Sequence, residues 1–224
     1  MKRSKVVLLA VAVTLLVIGC ALLGPSKNKI LAWVDNIEEG TRYRMQLRWV
    51  FPNDSVTDTA NIDITSVDQR SDRTVIRLSA YGYSYYLIAH DARGALYWSY
   101  EDTFDDDTMI MLKTPVEEGT RWFGRLLTPA WSWALGYAGI VSFSDVPFRI
   151  TQMGGTREAG AVTADDVVTI RVDLSDVFEA GTVTFTTSEY YYSPTYGWLG
   201  EKYVSTVDGD TYTLEIRITD ITVR

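Results

Sequence analysis

Cysteine, histidine and proline are scarce in this 224-residue chain, at one, one and six residues. A single cysteine excludes a disulfide framework, so the fold has to be held by a packed core. With Cys20 and His90 as the sole thiol and imidazole, the usual zinc ligand sets are out of reach. Nucleophilic catalysis is equally short of parts, because no glycine-flanked serine of the nucleophile-elbow kind occurs and His90 precedes Asp91 in a turn-like stretch, read as solvated. No glycine-rich phosphate loop is present either; Gly154-Gly155 reads as a turn. Positive charge is in deficit, with 21 Lys and Arg against 29 Asp and Glu. A net charge of −8 repels phosphate backbones, which argues against nucleic acid as a partner.

Carboxylates are plentiful, and for that reason no pair of them marks a glycosidase site. The cluster Glu101, Asp102, Asp105, Asp106 and Asp107 offers oxygen ligands but lacks the spacing and glycine of a calcium loop, so it reads as a solvated turn. The expectation is a chain without catalytic activity, cofactor or metal.

The most strongly apolar run is at the N-terminus. Lys2-Arg3-Ser4-Lys5 precedes an apolar stretch from Val6 to Ile18 and then Gly19-Cys20-Ala21. A basic start, an apolar centre and a small residue at the exit make a secretory signal. Val17-Ile18-Gly19-Cys20 resembles a bacterial lipobox, with valine where leucine is commonest. That resemblance implies cleavage before a diacylglyceryl-modified Cys20 and a membrane anchor through the N-terminal lipid. A second reading stands beside it: Val6 to Gly24 carries no charge over nineteen residues, long enough to span a bilayer uncleaved. Plain secretion is a third. All three put the bulk of the chain outside the cytoplasm, and the two anchored readings place it in the bacterial cell envelope. Removing Lys2, Arg3 and Lys5 with residues 1–19 leaves 18 basic against 29 acidic side chains. The division expected is a signal at 1–19, a lipidated cysteine and tether at 20–40, and one β domain at 41–224. Within the tether, Ile30 to Val34 could begin a short helix or pack onto the domain.

From Gly40 the hydrophobic period is two. Tyr43, Met45, Leu47 and Trp49 alternate with Arg42, Arg44, Gln46 and Arg48, placing one set on each face of a strand. Similar patterns recur around residues 60–66, 74–80, 83–89, 95–101, 109–112, 167–174, 182–192, 201–207 and 211–223, with Asp208-Gly209-Asp210 a strong turn. About ten short strands predict an all-β fold: a strongly curved antiparallel sheet or open barrel. Residues 124–148 break the pattern, and a short irregular or helical segment is expected there.

Two further segments resemble uncharacterised bacterial envelope lipoproteins. Leu112-Lys113-Thr114-Pro115 with Gly119 and Trp122 is similar to a leucine, proline, glycine, tryptophan segment of that family. Tyr190-Tyr191-Tyr192-Ser193-Pro194 with Gly197 is similar to its later tyrosine-rich element. Glu179 to Val183 is a displaced echo of a third. The resemblance implies a strongly curved antiparallel sheet and supplies no catalytic residues. Read physically, Pro115 and Gly119 set a turn that lets Trp122 fold back onto the sheet.

Aromatics are the residue class left over. Seven Trp, fourteen Tyr and seven Phe are available; tyrosine is favoured in strands and stabilises cross-strand pairs, which is the plain reading of the clusters at Tyr81–Tyr86, Tyr97–Tyr100 and Tyr190–Tyr192. On alternating strands some rings face away from the core, and a concave sheet carrying them forms a groove. Tyr83, Tyr85, Trp98, Trp131, Trp133 and Tyr191 are the candidate ligand-binding residues, for a hydrophobic or carbohydrate ligand in a cavity of ~300 Å³ or more. The alternative is a structural or assembly protein whose apolar 124–148 segment docks an envelope protein or the membrane surface, leaving a filled core and an exposed apolar patch.

Overall fold

The computed structural model describes residues 30–103, 108–128, 141–174 and 183–223. The signal, Cys20, Trp131, Trp133 and Asp105 to Asp107 lie outside the described residues. Twelve strands run in chain order: β1 Arg42–Val50, β2 Ser55–Gln69, β3 Arg73–Ala80, β4 Tyr83–His90, β5 Ala95–Ser99, β6 Met109–Lys113, β7 Arg121–Thr128, β8 Val141–Ala159, β9 Val162–Val172, β10 Val183–Ser193, β11 Gly197–Val207 and β12 Asp210–Thr222. They form one sheet in the order β6-β5-β4-β3-β2-β1-β12-β11-β10-β9-β8-β7, with antiparallel neighbours throughout.

That order is a meander with a displaced gap. Each strand pairs with its successor except β6 with β7, and the first strand pairs with the last, from Arg42↔Thr222 to Val50↔Thr213. Pairing β6 with β7 would complete a ring, so the sheet is a barrel one ladder short of closure. The all-β, curved expectation holds.

Alternation accounts for most of the elements. In β1 the buried residues are Tyr43, Met45, Leu47 and Trp49, while Arg42 faces outward and pairs with Asp63 directly across on β2, Nε to Oδ1 at 2.5 Å. Of the irregular or helical segment expected at 124–148, the two flanks belong instead to β7 and β8, which raises the strand count from about ten to twelve, and residues 129–140 lie outside the described residues. These strands hid because bulges break their period. β7 slips between Gly124 and Leu126, and β8 slips three times between Ile150 and Arg157. Each bulge inserts an unpaired residue, shifts the face of those that follow and bends the strand.

The main core fills the inside of the curve, with Ile76, Leu96, Leu112, Phe148, Ile150, Ile170 and Ile216 fully enclosed. Residues ahead of β1 enter it as well. A single 3₁₀ turn at Leu31–Trp33 brings Ile30, Trp33, Val34 and Ile37 into the core. Tyr192 donates a hydrogen bond to the Trp33 carbonyl at 2.8 Å, satisfying a polar group that the plug would otherwise bury. Ile30 to Val34 thus packs onto the domain.

The two motif segments form connections between strands. Pro115 to Thr120 joins the two edge strands, and Gly119 donates its N–H to the Ile150 carbonyl at 2.9 Å. Trp122 then lies face to face with Phe148, centroids 5.4 Å apart, and its Nε1 donates to the Ile110 carbonyl of β6 at 3.1 Å. Between β10 and β11, the Asp166 carboxylate accepts from Ser193 Oγ and Thr195 Oγ1, each at 2.5 Å, and from the Thr195 N–H at 3.1 Å. His90 is not solvated: its side chain is only 12% exposed, with Nε2 3.7 Å from an Asp72 carboxylate oxygen.

Candidate functional site

The inner surface of β1 to β6 does not meet the opposite wall completely. Met45 of β1, Ile62 of β2, Leu78 and Ala80 of β3, and Leu87 of β4 form one side of a recess. Met109 and Met111 of β6, Tyr190 of β10 and Trp198 and Glu201 of β11 complete the lining. The volume is about 120 Å³, and the recess is partly open to solvent. Strand periodicity produces this wall, because Tyr85 and Leu87 share a face, as do Met109 and Met111.

The mouth is aromatic. Tyr85 and Trp98 have ring centroids 5.5 Å apart, and Tyr100 stands 5.8 Å from Tyr85 and 6.0 Å from Trp98. Tyr81 joins them from the β3–β4 turn. Partial burial is the main reason the hydroxyls of Tyr81, Tyr85 and Tyr100 have raised pKa values. The rim is therefore uncharged over the physiological range. Deeper in, burial keeps Tyr190 neutral and the charge of Glu201 adds to the effect, while the Tyr190 hydroxyl donates to the Met111 carbonyl.

Of the candidate residues, the structure brings Tyr85 and Trp98 together at this recess. Tyr83 is elsewhere, 69% exposed where β4 begins. Tyr191 faces the opposite side of the sheet from Tyr190. It packs with Ala164, Val167 and Leu199, lies under the Arg157 guanidinium at 3.1 Å from the ring centroid, and donates to Glu189 Oε2 at 3.1 Å. Alternation separates Tyr191 from its neighbours, and a cation over its ring makes it a packing residue. The recess is also smaller than the ~300 Å³ expected.

The residues that sequence reasoning missed are Met45, Ile62, Leu78, Leu87, Met109, Met111, Trp198 and Glu201. All but Glu201 carry the ordinary signature of core positions, so only the gap between facing walls distinguishes them. Asp102 of the acidic cluster is held by the Arg70 guanidinium, Nη2 to Oδ2 at 2.6 Å. Among the described residues no group of three or more His, Cys, Asp or Glu is placed to hold a metal.

No family model matches the chain, and no curated protein matches it. Among solved structures it is similar to a candidate exported protein of Bacteroides fragilis with a YmcC-like fold, at 10% identity and a TM-score of 0.44, covering 83% of this chain and 96% of that one. It is also similar to a LolA superfamily protein of Nitrosomonas europaea, at 8% identity and a TM-score of 0.22, covering 90% of this chain and 94% of that one.

Proposed function

We propose that the protein is a non-catalytic, lipid-anchored envelope protein that holds a hydrocarbon chain in the recess of its curved sheet. The observation that carries this reading is the apolar recess itself, about 120 Å³, lined by Leu78, Leu87, Met109, Met111, Tyr85 and Trp98, with Tyr100 packed against the last two rings. An apolar cavity of ~150 Å³ stays dry and accepts a benzene-sized molecule, so this volume suits a segment of one chain rather than a whole lipid. A sugar fits poorly, because its hydroxyls need several polar partners and the wall is almost entirely hydrocarbon and aromatic carbon. Methionine side chains adapt their shape to a flexible guest. The basic, apolar and Gly-Cys sequence at residues 2–20 supports an extracytoplasmic location and an anchor at Cys20. The docking reading rests on Trp131 and Trp133, which lie outside the described residues.

The test is photolabelling of the full chain in native-membrane nanodiscs with a long-chain alkyl diazirine, followed by peptide mass spectrometry. Label is expected on peptides carrying Leu78, Leu87 and Met109 to Leu112, displaced by dodecanol. Ala80→Phe fills the recess and should reduce this labelling about tenfold while the far-ultraviolet circular dichroism is unchanged. Labelling spread evenly over the outer strand faces, undiminished by dodecanol, would overturn the reading.

A further inference from the structure

One charged residue per strand makes a row across the outer face of the sheet. From β7 round to β1 the register partners are Arg121, Arg149, Arg171, Glu189, Lys202, Glu215 and Arg48. Chain neighbours such as Trp122, Phe148, Ile170, Tyr190, Tyr203 and Ile216 are buried, so alternation turns the row away from the core. From Arg171 to Arg48 the signs alternate, the favourable arrangement for side chains directly opposite one another. The first three members break that rule. Arg149 stands between Arg121 and Arg171, like charge against like charge on both sides.

All three arginines are exposed, and among the described residues none of their guanidinium groups has an ion-pair or hydrogen-bond partner. Exposed Asp145 and Asp173 flank them without pairing with them. Glu189, across from Arg171, accepts from Tyr191 at 3.1 Å instead. Like charges directly opposite destabilise a sheet, so this end of the row costs stability that a negative charge from outside would offset. Neighbouring strands lie about 4.8 Å apart, which spreads the three cations over roughly 10 Å of sheet face. Phe123, 70% exposed, shares the outer side of β7 with Arg121, and Pro147 is its register partner. A phenyl ring beside cations is the combination that lies in a bilayer interface, charge at the headgroups and ring at the acyl boundary. The chain is acidic overall, yet charges more than about 8 Å away are screened at physiological salt, so the local cations set the sign here.

We infer that the outer face of β7 to β9 docks on an anionic phospholipid surface, with Arg121, Arg149 and Arg171 at the headgroup phosphates and Phe123 reaching the acyl boundary. Each arginine close to such a surface adds about fivefold to the attraction. An acidic peptide would meet the arginines and leave Phe123 without a role. The docking face is on the outside of the sheet, so it works whether or not the recess holds a guest.

The test reconstitutes the full chain on vesicles of phosphatidylcholine, alone or mixed equally with phosphatidylglycerol, and follows phenylglyoxal modification of each arginine by peptide mass spectrometry. On the anionic vesicles Arg121, Arg149 and Arg171 should react about tenfold more slowly than on the neutral ones, and about 0.5 M salt should abolish the difference. Arg44 and Arg48, exposed on β1, should react alike on both. Arg149→Gln keeps an exposed position polar, and should cut the protection of Arg121 and Arg171 about fivefold. Phe123→Ser should weaken the protection and leave its salt dependence in place. Equal rates for the three arginines on the two vesicles, equal protection of Arg44 and Arg48, or protection undiminished in Arg149→Gln overturns the docking face. Protection by soluble polyglutamate as strong as that by the anionic vesicles overturns the choice of a lipid surface. None of these outcomes touches alkyl labelling of the recess, so the two readings fail separately.

Discussion

At the scale of single residues, tyrosine is where burial changes chemistry most. Burial pushes the hydroxyl of Tyr43 up to about 12. It does the same for Tyr191, to about 12, with Glu189 adding and Arg157 opposing. Tyr190 and Tyr192 are raised further by complete enclosure. In the unfolded chain these groups ionise near 10. A raised folded value means that the native state keeps protons the unfolded state has lost, so stability is whole below pH 10 and declines as pH rises towards 12. Ultraviolet titration of tyrosinate should therefore show a first group ionising near pH 10 and a second appearing only as near-ultraviolet circular dichroism is lost. A single midpoint near 10 for all fourteen tyrosines, with the dichroism intact, would contradict this packing.

At the scale of elements, two-residue hairpins set the register, and one of them carries an unusual residue. β3 and β4 are joined by Tyr81-Gly82, with φ of +52° and +81°, and β11 and β12 by Asp208-Gly209, with φ of +51° and +93°. Positive φ at both central positions is the form that matches strand twist, and it favours Asn or Asp followed by Gly. Asp208 fits that rule and its turn was legible in the sequence. Tyr81 breaks it: a bulky side chain is held in the left-handed region while its ring lines the mouth of the recess. Tyr81→Asn should relieve the strain and raise stability by about 0.5–1 kcal/mol in urea unfolding. The same change should weaken alkyl labelling severalfold, because part of the rim is removed. A loss of stability would show that the ring's packing outweighs the backbone strain. The strands that could not be read, β7 and β8, are those with bulges. Period-two reading assumes an unbroken register, and the slips after Gly124 and around Gly154-Gly155 interrupt it.

At the scale of the whole molecule, the decisive feature is where the ring of strands is left open. The gap falls in mid-chain, between β6 and β7, and side chains rather than a backbone ladder reach across it. Trp122 on β7 donates to Ile110 on β6 and stacks on Phe148, while Tyr190 reaches from β10 to Met111. Trp122→Phe retains the stack and removes the N–H that crosses the gap. It should cost about 1 kcal/mol, lowering Tm by roughly 2–4 °C. Amide exchange should accelerate in β6 and β7 more than in β1 and β12, which are paired along both edges. Uniform acceleration in all four strands would mean that the gap has no stability of its own and opens only with the rest of the sheet.

The sequence by itself determined the fold class, the alternating strands with Tyr43 to Trp49 facing inward, the Asp208-Gly209 turn and the shortage of groups for zinc or nucleophilic chemistry. Those properties are local: side-chain type, period and turn chemistry are written within a few residues of one another. Only the tertiary structure decided that β1 meets β12, that Ile30 to Ile37 plug the core, and that Met109, Leu78 and Glu201 share one recess. Those depend on contacts between distant segments. A residue lining a small cavity has the same local pattern as one in a filled core, so periodicity cannot tell them apart. Glu201 had no signal at all, because a charged residue among outward-facing charges looks ordinary until the register of β11 turns it inward.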